Sequence, residues 1–154
     1  MAHEIERKFL VKELPPELDR YPHTEITQGY TIITENGVEV RIRKRGGRYY
    51  QTVKSGSGLV RNENESEISE EEFVEHWPDT KGKRIEKVRY EIKHDDVTIE
   101  LDIYSGDLDG LAVAEVEFDS EEDSKLFIPP EWFDREVTHD ERYKNSNLAL
   151  HGKP

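Results

Sequence analysis

The chain has 154 residues, 37% charged and 33% hydrophobic, and its 35 Asp and Glu outnumber its 22 Lys and Arg for a formal net charge of -13. That balance argues against a nucleic-acid partner, and the absence of cysteine excludes disulfides and thiolate metal sites. The charges are interleaved with Val, Ile, Leu, Tyr and Phe, so the reading is one folded domain, 1–154, not a disordered chain. With no signal peptide and no membrane-length apolar run in view, the expectation is a cytoplasmic protein with no membrane partner.

In chain order, His3 to Val11 reads as a strand. Its two-residue period places Glu4, Glu6 and Lys8 on one face and Ile5, Phe9 and Val11, with Arg7 among them, on the other. Residues 13–18 read as a connection with a short helical turn. Thr27 to Thr34 is a strand with Gln28, Tyr30 and Ile32 in register, followed by a two-residue hairpin signal at Asn36-Gly37. The return strand alternates strictly, Glu39, Arg41 and Arg43 against Val38, Val40 and Ile42. Gly46-Gly47 is a second turn, Tyr49 to Lys54 a strand, Ser55 to Gly58 a loose connection, and Arg61 to Ile68 another alternating strand with Glu63, Glu65 and Glu67 on one face. Ser69 with Glu72 is a capping box for a helix through Trp77 that Pro78 should stop. Strands follow from Arg84, with Lys87, Arg89, Glu91 and Lys93 on one face, and from Val97 to Ile103 after an Asp95-Asp96 turn, with Glu100 and Asp102 together. Ala112 to Phe118 sets Glu115 and Glu117 against Ala114 and Val116. Ser120 caps a helix ended by Pro129-Pro130, and a last helix is expected from about Asp140 to about Leu150.

About eight antiparallel strands in one continuous run is the number that closes into a narrow barrel. A charged face on nearly every strand fits either an ordinary barrel with a charged exterior or an inverted one with a charged interior. The sign pattern favours inversion. A solvated face mixes signs for small ion-pair gains, whereas here Arg41 lies with Arg43 and Lys87 with Arg89, while Glu63 and Glu65, Glu100 and Asp102, and Glu115 and Glu117 are purely acidic pairs. Cationic rows want a polyanion such as phosphate, and acidic rows want a hard divalent cation. The six histidines are scattered and read as surface or structural residues.

Glu4-x-Glu6-x-Lys8 resembles the ExExK signature of the CYTH superfamily, the triphosphate tunnel metalloenzymes, and the likeness extends over nearly the whole chain. It is carried further by Gln28-Gly29-Tyr30, Glu39 to Arg43, Thr52 to Ser55, Glu86 to Tyr90, Glu100 to Asp102, Glu115 to Phe118 and Arg142 to Asn145, and looks closest to short bacterial inorganic tripolyphosphatases. The resemblance implies a mainly β fold: an eight-stranded antiparallel tunnel with a charged interior, short helices packed outside and a C-terminal helix near one mouth. By position it implies that Lys8, Arg41, Arg43, Lys54, Lys87, Arg89, Arg142 and Lys144 bind phosphate. It implies Glu4, Glu6, Glu115 and Glu117, with Asp102 and Glu65 behind them, around Mg²⁺ or Mn²⁺, and a Lys8–Tyr30 pair that positions or activates water. Between Glu63 and Glu65 the sequence leaves the choice open. The expected activity is metal-dependent hydrolysis of inorganic tripolyphosphate by a monomer or homodimer. An organic triphosphate substrate, adenylate cyclisation, or a non-catalytic polyphosphate-binding module are the alternatives.

Overall fold

Two-residue alternation carries through into three dimensions as a closed sheet whose apolar face points outward. The computed structural model describes residues 2–57 and 59–154. Its strands are β1 (Ala2–Val11), β2 (His23–Ile33), β3 (Glu39–Arg45), β4 (Arg48–Ser57), β5 (Val60–Ile68), β6 (Arg84–His94), β7 (Val97–Ser105), β8 (Ala112–Phe118) and β9 (Phe133–Glu136). The helices are α1 (Glu70–His76), α2 (Glu121–Leu126) and α3 (Asn145–His151), with short 3₁₀ turns between elements. The sheet runs β5-β4-β3-β2-β6-β7-β8-β1-β9, and pairing of β1 with β5 closes the first eight strands into an antiparallel barrel. Closure uses only the start of β1, Ala2 to Ile5 against Glu63 to Val60. Further along, Phe9 and Val11 pair instead with Glu136 and Phe133 of β9.

The larger apolar core lies outside the barrel wall. Phe9, Ile92, Ile99, Leu101, Ala114, Val116 and Phe133 pack together, covered by Leu18, Phe118, Phe127 and Trp132. These residues occupy the alternate positions to Lys8, Glu100, Asp102, Glu115 and Glu117, so burying them turns the charged row inward. Arg7, the charge on the apolar face of β1, forks onto Glu136 at 2.8 and 2.9 Å and donates to the Ser124 carbonyl at 2.9 Å. The cover is one-sided: Val53 and Val60, on the outer wall of β4 and β5, stay exposed, as does Ile32, which a register shift after Tyr30 moves off the face it was expected to share with Gln28 and Tyr30. A second apolar cluster of Ile85, Tyr104, Leu108, Val113 and Leu148 stoppers one end of the barrel, with Leu148 delivered by α3.

Several local details depart from the expected pattern. Between β2 and β3 the connection is residues 34–38, not a two-residue turn. Thr34 accepts the Val38 N–H through its hydroxyl at 3.0 Å and donates its own N–H to the Val38 carbonyl at 2.9 Å, while Gly37 takes φ 89°. The Gly46-Gly47 and Asp95-Asp96 turns form as expected, Arg45 facing Arg48 and His94 facing Val97. β4 runs on to Ser57, so 55–57 are strand; Gly58 and the His3 side chain lie outside the described residues. Ser69 caps α1 by accepting the Glu72 N–H at 3.1 Å, and the α-helix ends at His76, before Pro78, which occupies an early position of a following 3₁₀ turn, Trp77–Thr80, where its missing N–H costs nothing. The expected last helix divides into a 3₁₀ turn, Glu141–Tyr143, and α3. No helix among the described residues is long and apolar enough to cross a membrane.

The 3₁₀ turn after α1 presses Thr80 against β2 at Gly29, where an added Cβ would meet the Thr80 side chain at 2.5 Å. Gly29→Ala is therefore expected to lower stability by about 1–3 kcal/mol through overpacking, read as a reduced urea midpoint with an unchanged slope.

Candidate functional site

Inside the barrel the inward residues converge on a cavity of about 290 Å³ lined by Glu4, Glu6, Lys8, Arg41, Arg43, Arg45, Lys54, Arg61, Glu63, Glu65, Arg89, Glu100, Glu115, Glu117 and Asn145. Of two larger depressions, one of 940 Å³ adjoins the cavity at Glu4, Glu100 and Glu117 and extends to the β6–β7 turn and α2, and one of 560 Å³ lies beside α1. Neither gathers the interior cations, so the smaller cavity is where the chemistry is concentrated.

One side of the cavity is an acidic pole. Carboxylate oxygens of Glu4, Glu63 and Glu117 lie within 4.8 Å of one another, as do those of Glu4, Glu6 and Glu115, so Glu4 belongs to both trios. Three carboxylates this close cannot all stay ionised without a cation. Partial removal from water and the Glu4 charge push Glu117 up to about 8. Burial and a hydrogen bond with Glu4 also raise Glu63. Burial works against ionised Glu4 too, but its bond to Glu63 and the Lys54 charge outweigh it and hold Glu4 below its ordinary value. Oε1 of Glu4 and Oε2 of Glu6 are buried with no hydrogen-bond partner among the described residues. Hard oxygen donors with orphaned lone pairs fit a divalent cation of the Mg²⁺ type.

The facing wall is cationic. Arg41, Arg43, Lys54, Arg61 and Lys87 are buried, and Arg41 Nε, Arg43 Nε and Nη1, and Arg61 Nε have no acceptor among the described residues. Burial with neighbouring guanidinium charges lowers Arg43 to about 9, Lys54 to about 8 and Lys87 to about 7. Lys87 Nζ donates to Asp102 Oδ2 at 2.8 Å, and Arg89 forks onto the same carboxylate at 2.7 and 2.9 Å. Those two cations hold Asp102 far below the usual carboxylate range despite its burial.

At the stoppered end lie Lys8, Tyr30 and Lys144. Lys8 is fully buried, which lowers its ammonium against the opposing pull of Glu6, and Nζ donates to the Tyr143 carbonyl at 3.3 Å. Burial raises Tyr30, so its phenol keeps its proton at neutral pH. Tyr30 Oη accepts from Gln28 Nε2 at 3.4 Å.

Most of the residues marked in the sequence thus share one cavity or its wall, but Asp102 and Glu65 lie outside the carboxylate trios and Arg142 leaves the tunnel. Asp102 belongs to neither carboxylate trio, being engaged by Lys87 and Arg89. Glu65 binds Arg43 at 3.1 Å and Thr52 at 2.8 Å, and Glu63 takes the place beside Glu4. Arg142 points out of the tunnel, its side chain 62% exposed and clamped on Asp140 at 2.7 Å. Among the interior residues without a role in the sequence reading are Glu39, whose period with Arg41 and Arg43 already placed it on the inner face, and Arg61, two before Glu63 on the same face.

Residues 2–128 match the CYTH domain family. The chain is 47% identical over 149 residues to an inorganic triphosphatase of Nitrosomonas europaea, covering 96% of this chain and 97% of that one. It is 37% identical over 157 residues to an inorganic triphosphatase of Acetivibrio thermocellus, covering 97% and 94%. The crystal structure of the inorganic triphosphatase NE1496 superposes with a TM-score of 0.75 at 42% identity, over 100% of this chain and 99% of that chain.

An anion that fills the cavity stabilises the protonated forms of Lys87, Lys54 and Arg43 and so raises values now near 7, 8 and 9. Binding of tripolyphosphate at pH 8.5 without metal should therefore take up protons from solution. Calorimetry in buffers of different ionisation enthalpy reads this directly; net proton release would contradict the cationic wall.

Proposed function

The chain belongs to the CYTH family, and we propose that it is a triphosphatase dependent on Mg²⁺ or Mn²⁺ that hydrolyses inorganic tripolyphosphate to diphosphate and phosphate. The observation that carries this reading is a row of buried guanidinium N–H groups without acceptors among the described residues, facing carboxylates too crowded for all of them to stay ionised. A phosphate chain satisfies the first set and a divalent cation the second.

Arg41 and Arg43 offer planar forks that match non-bridging phosphate oxygens, and Lys54 adds a point charge between them and the acidic pole. Lys87 and Arg89 are held by Asp102, and Arg89 also by Glu100, which fixes the direction of both basic groups. Glu4, Glu63 and Glu117, or Glu4, Glu6 and Glu115, would hold the cation. When bound, it supplies Lewis-acid polarisation of a phosphoryl oxygen and neutralises charge that builds up in phosphoryl transfer. Lys8, its ammonium lowered by burial against the pull of Glu6, and Tyr30, kept as a phenol, are the groups that position the attacking water. The oxygen of water bonds to a terminal phosphorus as the bridging P–O bond breaks; the water protons leave with the phosphate formed, and diphosphate departs with its charge held by the arginines. The relatives that match over nearly their whole length are inorganic triphosphatases, which favours an inorganic chain over a nucleotide.

Phosphate release from tripolyphosphate should require Mg²⁺ or Mn²⁺ and disappear with EDTA and in Glu117→Ala. Undiminished turnover in chelator removes the metal role, and faster turnover of ATP, or cyclic AMP as product, removes the substrate assignment. Arg41→Ala is expected to lower kcat/KM by about 10²–10³, the scale of a lost charge-stabilising donor.

Metal and protons compete for the acidic pole. Glu117 is raised in the folded chain, so its contribution to stability is full below its ordinary value near 4.5 and is lost as pH climbs through about 8. A bound cation replaces the missing proton. Mg²⁺ should thus raise Tm more at pH 8.5 than at pH 6; an equal shift at both would place the metal elsewhere.

A further inference from the structure

Glu39 is a buried carboxylate outside both acidic trios and surrounded by donors from distant parts of the chain. Its Oε1 accepts from Ser146 Oγ of α3 at 2.9 Å, from Arg61 Nη2 of β5 at 3.5 Å, and lies 3.4 Å from Lys144 Nζ. We propose that Glu39 is a positioning residue that latches the C-terminal segment across the closed end of the tunnel and holds Arg61 and Lys144 toward the phosphate cavity. The latch stands on its own; the role toward phosphate rests on the function proposed above.

The alternatives open to the two cations show why the carboxylate matters. Arg61 Nη1 is already 4.0 Å from Glu6 Oε1. Without Glu39 the guanidinium turns onto Glu6 and draws one carboxylate away from the acidic pole. Lys144 is 3.5 Å from Glu141, whose side chain is 58% exposed, and without Glu39 it follows that partner toward solvent. Ser146 loses a buried acceptor, and with it goes the one side-chain hydrogen bond that ties α3 to β3 among the described residues. What then holds α3 is the Leu148 contact with Ile85, Tyr104 and Val113, and the Tyr104 bond to Asn145. One oxygen on β3 therefore controls both the stopper and the placement of two cations.

Glu39→Gln keeps the volume and an acceptor for Ser146 but removes the charge; Ser146→Ala removes only the latch bond; Glu39→Ala removes both. Hydrogen exchange followed by mass spectrometry should show residues 144–151 opening about tenfold faster in Glu39→Ala and Ser146→Ala, with β6 to β8 unchanged and Glu39→Gln close to the parent protein. Glu39→Gln should raise KM for tripolyphosphate, and its metal-free Kd measured by calorimetry, about tenfold. A purely structural role for Glu39 would lower Tm and leave KM and Kd alone. Parent-like exchange in Ser146→Ala and Glu39→Ala overturns the latch, and parent-like KM and Kd in Glu39→Gln overturn the positioning. If Glu39→Ala does not fold, the other two variants decide each half. If the parent protein turns over no tripolyphosphate, the proposed function fails, while exchange and metal-free Kd still judge Glu39.

Discussion

Charge buried inside a narrow barrel is the constraint on which everything else in this protein depends. An ionised group removed from water is tolerated only where partners replace its hydration. Here the partners are other interior side chains, arranged so that the sum is deliberately incomplete. Asp102 is fully compensated by Lys87 and Arg89, and Glu65 is occupied by Arg43 and Thr52. Glu4 and Glu6 on one wall and Arg41, Arg43 and Arg61 on the other retain buried polar atoms with no hydrogen-bond partner among the described residues. An interior of this kind gives up stability in return for a fixed, water-poor set of charges, the arrangement that electrostatic stabilisation of phosphoryl transfer requires.

The outside of the barrel carries the compensating stability. Because the interior cannot form an oily core, the apolar residues pack beneath α2, β9 and the turns around them. Phe9 meets Phe133 at 4.8 Å, and Trp132 meets Phe133 at 4.7 Å. This shell lies over β1, β6, β7 and β8, the strands that carry much of the acidic pole, so backbone at that pole is pinned from behind. At the closed end a second apolar layer seals the tunnel with Leu148. With the backbone supported there, crowding of the three carboxylates appears as raised proton affinity of Glu63 and Glu117 beside an ionised Glu4.

The local chain could be read for which residues share a face and for how turns form where the turn chemistry is self-contained. Glu4, Glu6 and Lys8, the Arg41–Arg43 row, the Lys87–Arg89 row and the acidic pairs were all visible as alternation. So were the Ser69 cap and the Gly46-Gly47 turn, since each depends on a few adjacent residues. The 34–38 connection was not, because the Thr34 hydroxyl competes with a two-residue turn for the backbone. β9 was not either: four residues, Phe133 to Glu136, with no alternation to report, form a strand only because β1 offers an unpaired edge beyond its short pairing with β5.

Sequence by itself determined the set of inward residues and their signs, because side-chain direction in a strand is a matter of parity. It could not determine which inward residues pair with one another, because that depends on strand tilt and on how the closed sheet brings non-neighbouring strands together. Tertiary structure alone decided that Glu63 and not Glu65 joins Glu4 and Glu117, that Asp102 serves the cations, and that Arg142 faces outward. It also decided that Glu39 meets Ser146, 107 residues away, at the end α3 closes. Parity is local, and partnership across a barrel is not.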